Sequence, residues 1–168
     1  SQYLYDRSKE SPGLLYKMHW PFRQYETARG LRKSILHDRL LAKGACFGEL
    51  AGWERANWYA PAGKEAHYQY SFGRQNWFQW QAQEHLAVRE GVGLFDQSSF
   101  SKLMVQGGDA EAVLNRICAN NIAVPIGKSV YTQWLNARGT IEADLTVTRI
   151  GQHSFLVVTA PATHTQVT

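Results

Sequence analysis

The clearest periodicity in the chain is a strict alternation between residues 141 and 149. Ile141, Ala143, Leu145 and Val147 fall on one side, and Glu142, Asp144, Thr146 and Thr148 on the other. That is a half-buried strand. The run Val130–Leu135 reads as its partner, and Asn136-Ala137-Arg138-Gly139 between them suits a type I turn. Lys102–Gln106 reads as a further strand, followed by a Gly107-Gly108 turn. Asp109 is placed to cap a helix running to about Ala119, with Val113, Leu114, Ile117 and Cys118 on one face. Ser154–Val158 reads as a buried strand. Strand, helix and three strands in this order predict an α+β fold, a helix packed on an antiparallel sheet.

The first half is less regular. Residues 1–30 read as irregular, with Pro12-Gly13 and Trp20-Pro21 as turn signals. Ser34–Leu41 reads as a helix capped by Ser34, with Ile35, Leu36 and Leu40 inward and Gly44 ending it. Cys46–Leu50 reads as a short strand and Gly52–Gly73 as an aromatic loop region. Pro61-Ala62-Gly63 is its clearest break, which sets an expected boundary between segments 1–65 and 66–168. Gln81–Glu90 reads as a helix closed by Gly91 or Gly93.

Composition narrows the function classes. The 168 residues are 44% apolar and 19% charged, which excludes a disordered tail, a collagen and a coiled coil. No stretch approaches the roughly 20 apolar residues of a membrane span. No basic-then-apolar leader precedes the first elements. The chain opens on Ser1 and ends ten residues after a core strand, so a fragment of a longer polypeptide is expected. Cys46 and Cys118 match no zinc or redox spacing and read as reduced, buried thiols. The net charge of +4 resides in the first half: residues 1–84 carry 12 basic and 8 acidic side chains, residues 85–168 six of each. The density is greatest from Arg23 to Lys43. A solvated basic surface accounts for it, with an anion-binding role as the alternative. A nucleic-acid reader carries a denser basic patch.

Candidate chemistry is sparse. An Asp in mid-strand competes with the ladder for backbone hydrogen bonds, so Asp144 calls for a reason. Either its face is simply solvated, or the carboxylate stands on a rigid pocket wall, able to take a proton or bind a cationic ring nitrogen. If Asn136 faces Gly139, Tyr131 lies opposite Asp144 on the same face. His19, His37, His67, His85, His153 and His164 show no metal spacing. His37 beside Asp38 reads as a surface helix pair. Ser98-Ser99 lacks the glycine frame of a nucleophile elbow, and Gly91-Val92-Gly93 lacks the third glycine of a dinucleotide loop. The aromatic run from Trp53 to Trp80 reads as core or interdomain packing. As a stacking platform for single-stranded nucleic acid it lacks interleaved basic residues.

The wording of particular segments goes further. Gly93-Leu94-Phe95-Asp96-Gln97-Ser98-Ser99-Phe100 resembles the entry motif of the folate-binding aminomethyltransferase domain, as in the T-protein of the glycine cleavage system. Tyr131–Asn136 and Gly139–Arg149 resemble that family's next two strands. Leu36-His37-Asp38-Arg39-Leu40, Gly44-Ala45 and Gly52-Trp53-Glu54-Arg55 are similar to the region before this domain in dimethylglycine and sarcosine dehydrogenases. The resemblance runs from about Thr27 to Ala160. It implies a parent flavoprotein whose N-terminal FAD domain oxidises an N-methyl amine. The iminium product is then captured by tetrahydrofolate as methylenetetrahydrofolate.

On that resemblance Asp144 is the acid/base and folate-orienting group, and Tyr131, Thr146 and Thr159 line the folate site. The sequence departs from the family pattern at Thr140, where a second turn glycine is usual, at Ala143 in place of an Asp, and at Thr159 in place of an Asn. The implied partners are folate, the iminium and the parent's other domains, with no metal, nucleic acid or membrane. The implied compartment is the cytoplasm, or the mitochondrial matrix in a eukaryote. The basic stretch Arg23–Lys43 is placed to attract the anionic tail of folate. A regulatory module on the same scaffold is the alternative, and a folate-dependent tRNA-modifying relative fits the upstream segment poorly.

Overall fold

The computed structural model describes residues 1–163. His164 therefore lies outside the described residues. The chain forms two compact units, Ser1–Ser98 and Ser99–Thr168, and the boundary expected at 65/66 lies inside the first.

The first unit contains α1 (Gln2–Tyr16), α2 (His37–Ala42), the hairpin β1 (Ala45–Leu50) and β2 (Trp53–Tyr59), and α3 (Phe78–Glu90). Helix α1 corrects the irregular reading of residues 1–30. It buries no residue and carries Pro12 inside it, so neither periodicity nor propensity announces it. Arg7 anchors it instead: its guanidinium lies 3.8 Å over the Tyr25 ring and 3.3 Å from the Glu49 carboxylate. Glu10 adds hydrogen bonds from the backbone N–H groups of Glu26 (2.7 Å) and Thr27 (2.9 Å).

Helix α2 starts three residues later than expected. Ser34 accepts a hydrogen bond from the Leu36 N–H, and Ile35 lies almost fully exposed rather than inward. Gly44, at φ +84°, closes the helix, as expected. A Cβ there would meet the Ala60 carbonyl oxygen at 2.5 Å. Strand β2 corrects the loop reading of Gly52–Gly73. Its buried positions are Glu54 and Trp58, and a bulge separates them, so a buried charge and a broken register hide the strand's alternation. Ala51 and Gly52 both have positive φ, the type I′ geometry that joins antiparallel strands in two residues. The unit's core is Cys46, Trp58, Ala60 and Trp77, flanked by Tyr68, Tyr70 and Trp80.

The second unit bears out the α+β expectation. Strands β3 (Ser101–Gln106), β4 (Ser129–Leu135), β5 (Ile141–Gly151) and β6 (Ser154–Thr159) form an antiparallel sheet in the order β3-β6-β5-β4. Helix α4 (Ala110–Ile117) packs on one face. Leu114, Ile122, Leu145, Val147, Phe155 and Val157 are almost fully buried between them. Asp109 occupies the N-cap position of α4 without a side-chain cap hydrogen bond, and Val113 is exposed rather than inward. Ile141 is also exposed; it pairs with Leu135 beyond a bulge that takes it off the core-facing row of Ala143.

Candidate functional site

The face of the sheet turned away from α4 carries Asp144, Tyr131 and Thr146 of the candidates read from the sequence. On β5, Ala143, Leu145 and Val147 enter the core, which puts Asp144 and Thr146 on the opposite face. Thr146 stands directly between Tyr131 of β4 and Val158 of β6. Lys102 of β3 continues the same row.

The register differs from the sequence expectation. Tyr131 lies opposite Thr146, and Gln133 lies opposite Asp144. Two single-residue offsets produce this. The turn closes on Thr140, not Gly139, through Asn136 N–H to Thr140 C=O at 3.0 Å. A bulge between Trp134 and Leu135 adds the second. One offset would have sent Tyr131 to the core face; two return it to the face of Asp144. Asn136 organises the turn, its side-chain oxygen accepting from the N–H groups of Arg138 (2.9 Å) and Thr140 (3.2 Å). Thr140 is thus accommodated where the family pattern has glycine, and Gly139 takes the positive φ, +76°.

Two side chains stand beside Asp144. Gln133 donates from Nε2 to Asp144 Oδ1 at 3.2 Å. The Tyr131 phenol stands on the same face, and the Asp144 carboxylate, as a hydrogen-bonding neighbour, holds it above its ordinary value; partial desolvation and the carboxylate's charge act in the same direction, and Gln133 acts against them. Asp144 is exposed, so the carboxylate is fixed in direction but open to an incoming molecule. Such a group can accept a proton and can orient a ring N–H.

Thr159 is not on this face. Strand β6 turns it into the core beside Phe155 and Val157, and only 2% of it is exposed. From there its hydroxyl donates to the Asp144 backbone carbonyl at 2.8 Å. The structure therefore brings Asp144, Tyr131 and Thr146 together and puts Thr159 behind them. Gln133 escaped the sequence reading, although its parity with Tyr131 on β4 was the signal that could have found it.

Other candidates have structural partners. Within the basic stretch, Arg29 grips the buried Glu54 carboxylate through Nε (2.9 Å) and Nη2. Despite the opposing effect of burial, Arg29 and the Gly30 N–H hold that carboxyl below its usual range. His37 is buried, not a surface residue; it contacts Asp38 at 2.9 Å and stacks on Phe47. Among the described residues no His, Cys, Asp and Glu cluster suits a metal ion. No helix of the described residues is long and apolar enough to cross a membrane.

Comparisons with known proteins agree with this architecture. Residues 36–168 match the GCVT N-terminal domain, and residues 1–34 match the FAD dependent oxidoreductase central domain. The chain is 53% identical, over 94% of its length, to 19% of 4-methylaminobutanoate oxidase (formaldehyde-forming) from Paenarthrobacter nicotinovorans. It is 30% identical, over 89% of its length, to 19% of mitochondrial sarcosine dehydrogenase from Mus musculus. A mouse relative named as the mitochondrial pyruvate dehydrogenase phosphatase regulatory subunit is 32% identical over 93% of the chain and 18% of its own length. The chain thus spans about a fifth of these relatives. The solved aminomethyltransferase T of the glycine cleavage system from Bartonella henselae superposes with a TM-score of 0.64 at 25% identity, covering 82% of this chain and 34% of that one. The chain belongs to the family of the GCVT N-terminal domain, with a segment of the FAD dependent oxidoreductase central domain at its start.

Proposed function

We propose that this chain is the folate-facing segment of an FAD-dependent N-methyl amine oxidoreductase of the dimethylglycine and sarcosine dehydrogenase kind. The observation that supports it best is the Asp144 carboxylate on the open sheet face, held by Gln133, with the Tyr131 phenol on the same face. Tetrahydrofolate supplies a nucleophilic nitrogen for the iminium carbon. As the carbon–nitrogen bond forms, that nitrogen loses its proton, and Asp144 is the acceptor. Tyr131 and Gln133 hold the carboxylate in the direction the transfer needs. Thr146 lines the same surface, and Thr159 acts from the core side by fixing the Asp144 backbone.

FAD belongs in this reading to a part of the parent outside residues 1–168, and so does the choice of amine. The parent's remaining domains are the chain's partners. The parent works in the aqueous phase, in a bacterial cytoplasm or a mitochondrial matrix.

Calorimetric titration of the full-length parent with tetrahydrofolate tests this, with Asp144→Asn beside the wild type. Binding that the substitution weakens, or makes unproductive for methylenetetrahydrofolate, is the expected result. A well-folded parent that binds no tetrahydrofolate refutes the reading. The similarity to a regulatory subunit favours a second reading, a non-catalytic binding module. An intact parent that oxidises no amine but binds another protein tightly would establish it.

A further inference from the structure

Helix α1 is amphipathic in the reverse sense to a surface helix. At about 100° per residue its positions divide into two arcs. One arc holds Leu4, Tyr5, Ser8, Pro12, Leu15 and Tyr16, none of them charged. All six are exposed, Leu15 by 72% and Tyr16 by 91%. The other arc holds the helix's charges, Asp6, Arg7, Lys9 and Glu10.

The charged arc is the one that faces the unit. Arg7 lies over the Tyr25 ring and beside the Glu49 carboxylate, and Glu10 accepts from the Glu26 and Thr27 N–H groups. Asp6, Lys9 and Leu14 line a groove on the same side, against Arg23 and Thr27. A surface helix ordinarily buries its apolar stripe and gives its charges to water. Here four large apolar side chains stand on the solvent side, along a strip of roughly 18 Å. Single exposed apolar residues are common, but a contiguous strip of them marks a contact surface.

The occupant follows from the place of this helix in the chain. Residues 1–34 match the FAD dependent oxidoreductase central domain, and α1 is the helix of that match. A piece of 34 residues falls below the roughly 40 with which a domain folds unaided. It has no core of its own, since α1 buries no residue. The chain spans 19% of 4-methylaminobutanoate oxidase and 19% of sarcosine dehydrogenase, so most of such a polypeptide lies outside residues 1–168. The hairpin unit takes the charged arc of α1, which leaves the uncharged arc for the rest of the domain to which the helix belongs.

We infer that α1 is shared between two parts of the parent: the hairpin unit holds its charged arc, and an apolar surface of the remaining central domain covers Leu4, Tyr5, Leu15 and Tyr16. The inference rests on the family match and not on the folate reading, so either can fail alone. Hydroxyl-radical footprinting of the full-length parent, mapped by mass spectrometry, tests it, with the urea-unfolded parent as reference. Without an occupant, the exposure of Leu15 and Tyr16 gives them almost the reactivity of the unfolded chain. With one, protection of about tenfold or more is expected in the native parent. Reactivity within about twofold of the unfolded reference overturns the inference. Protection that vanishes on dilution to a monomeric parent overturns it too, and assigns the face to a second copy. Leu15→Lys should lower the thermal midpoint of the parent, and Leu15→Met should restore it; an unchanged midpoint in Leu15→Lys also overturns the inference. If Leu15→Lys does not fold, the footprint of the wild type decides.

Discussion

Replacing Glu54 removes the group that ties the segment before β1 to the hairpin. Its side chain is only 5% exposed, and Arg29 meets it with two nitrogens while Gly30 N–H donates at 2.6 Å. Arg29 also donates to the carbonyls of Phe47 (3.0 Å) and Tyr25 (3.1 Å), so it cannot swing out without losing both. Breaking one side of a fully buried pair costs about 3–5 kcal/mol. Arg29 is 30% exposed, and water reaching it lowers the figure to about 2–3 kcal/mol for Glu54→Ala. Glu54→Gln retains one acceptor for Gly30 N–H and should cost about 1–2 kcal/mol.

Urea unfolding of the chain, followed by tryptophan fluorescence, measures both. The pH dependence gives a second reading. The folded carboxyl titrates below its ordinary value of 4.5, so its contribution is present above that pH and is lost as pH falls through the folded value. Glu54→Gln should lack that part of the acid limb. Losses under about 0.5 kcal/mol for both variants would refute the reasoning and reduce the pair to an ordinary surface contact.

Three further outcomes are expected from the geometry. The Tyr131 phenol should titrate above 10.0 in wild type and closer to it in Asp144→Asn; difference spectra against Tyr131→Phe isolate it, and identical titrations would remove the hydrogen bond. Burial pushes the Cys46 thiol from 9.0 up to about 11. Its stabilising contribution is therefore present below 9.0 and lost as pH rises through about 11, which thiolate absorbance in a Cys118→Ser background reports. Phe155 is fully buried beside Leu145 and Val157, and Phe155→Ala should cost about 3–5 kcal/mol in urea unfolding, enough to threaten the second unit's fold.

Gln133 illustrates what became legible, and how. Side-chain parity along β4 is a local property, so Tyr131 and Gln133 share a face on sequence grounds alone. Which of them meets Asp144 depends on the turn and on the Trp134–Leu135 bulge, and neither has a distinctive residue signature. Thr159 is the converse case. A family pattern marks the position, but only the pairing of β6 with β5 shows that the side chain points into the core and reaches the Asp144 carbonyl from there.

The sequence by itself determined the elements whose periodicity is strong: β5 with Asp144 outward, β6, the helix after Gly107-Gly108, and the α+β class. These come from burial on one face, which imposes a period of two or 3.6 wherever one side of an element meets the core. Tertiary structure decided the rest. Helix α1 buries no residue and depends on Arg7 and Glu10 reaching distant partners. Strand β2 carries a buried Glu54 that Arg29 and the Gly30 N–H make tolerable. The neighbours of Asp144 were set by two one-residue offsets. For α1 and β2 the stabilising contact spans many residues, and a local pattern holds no record of a partner that arrives from elsewhere in the chain.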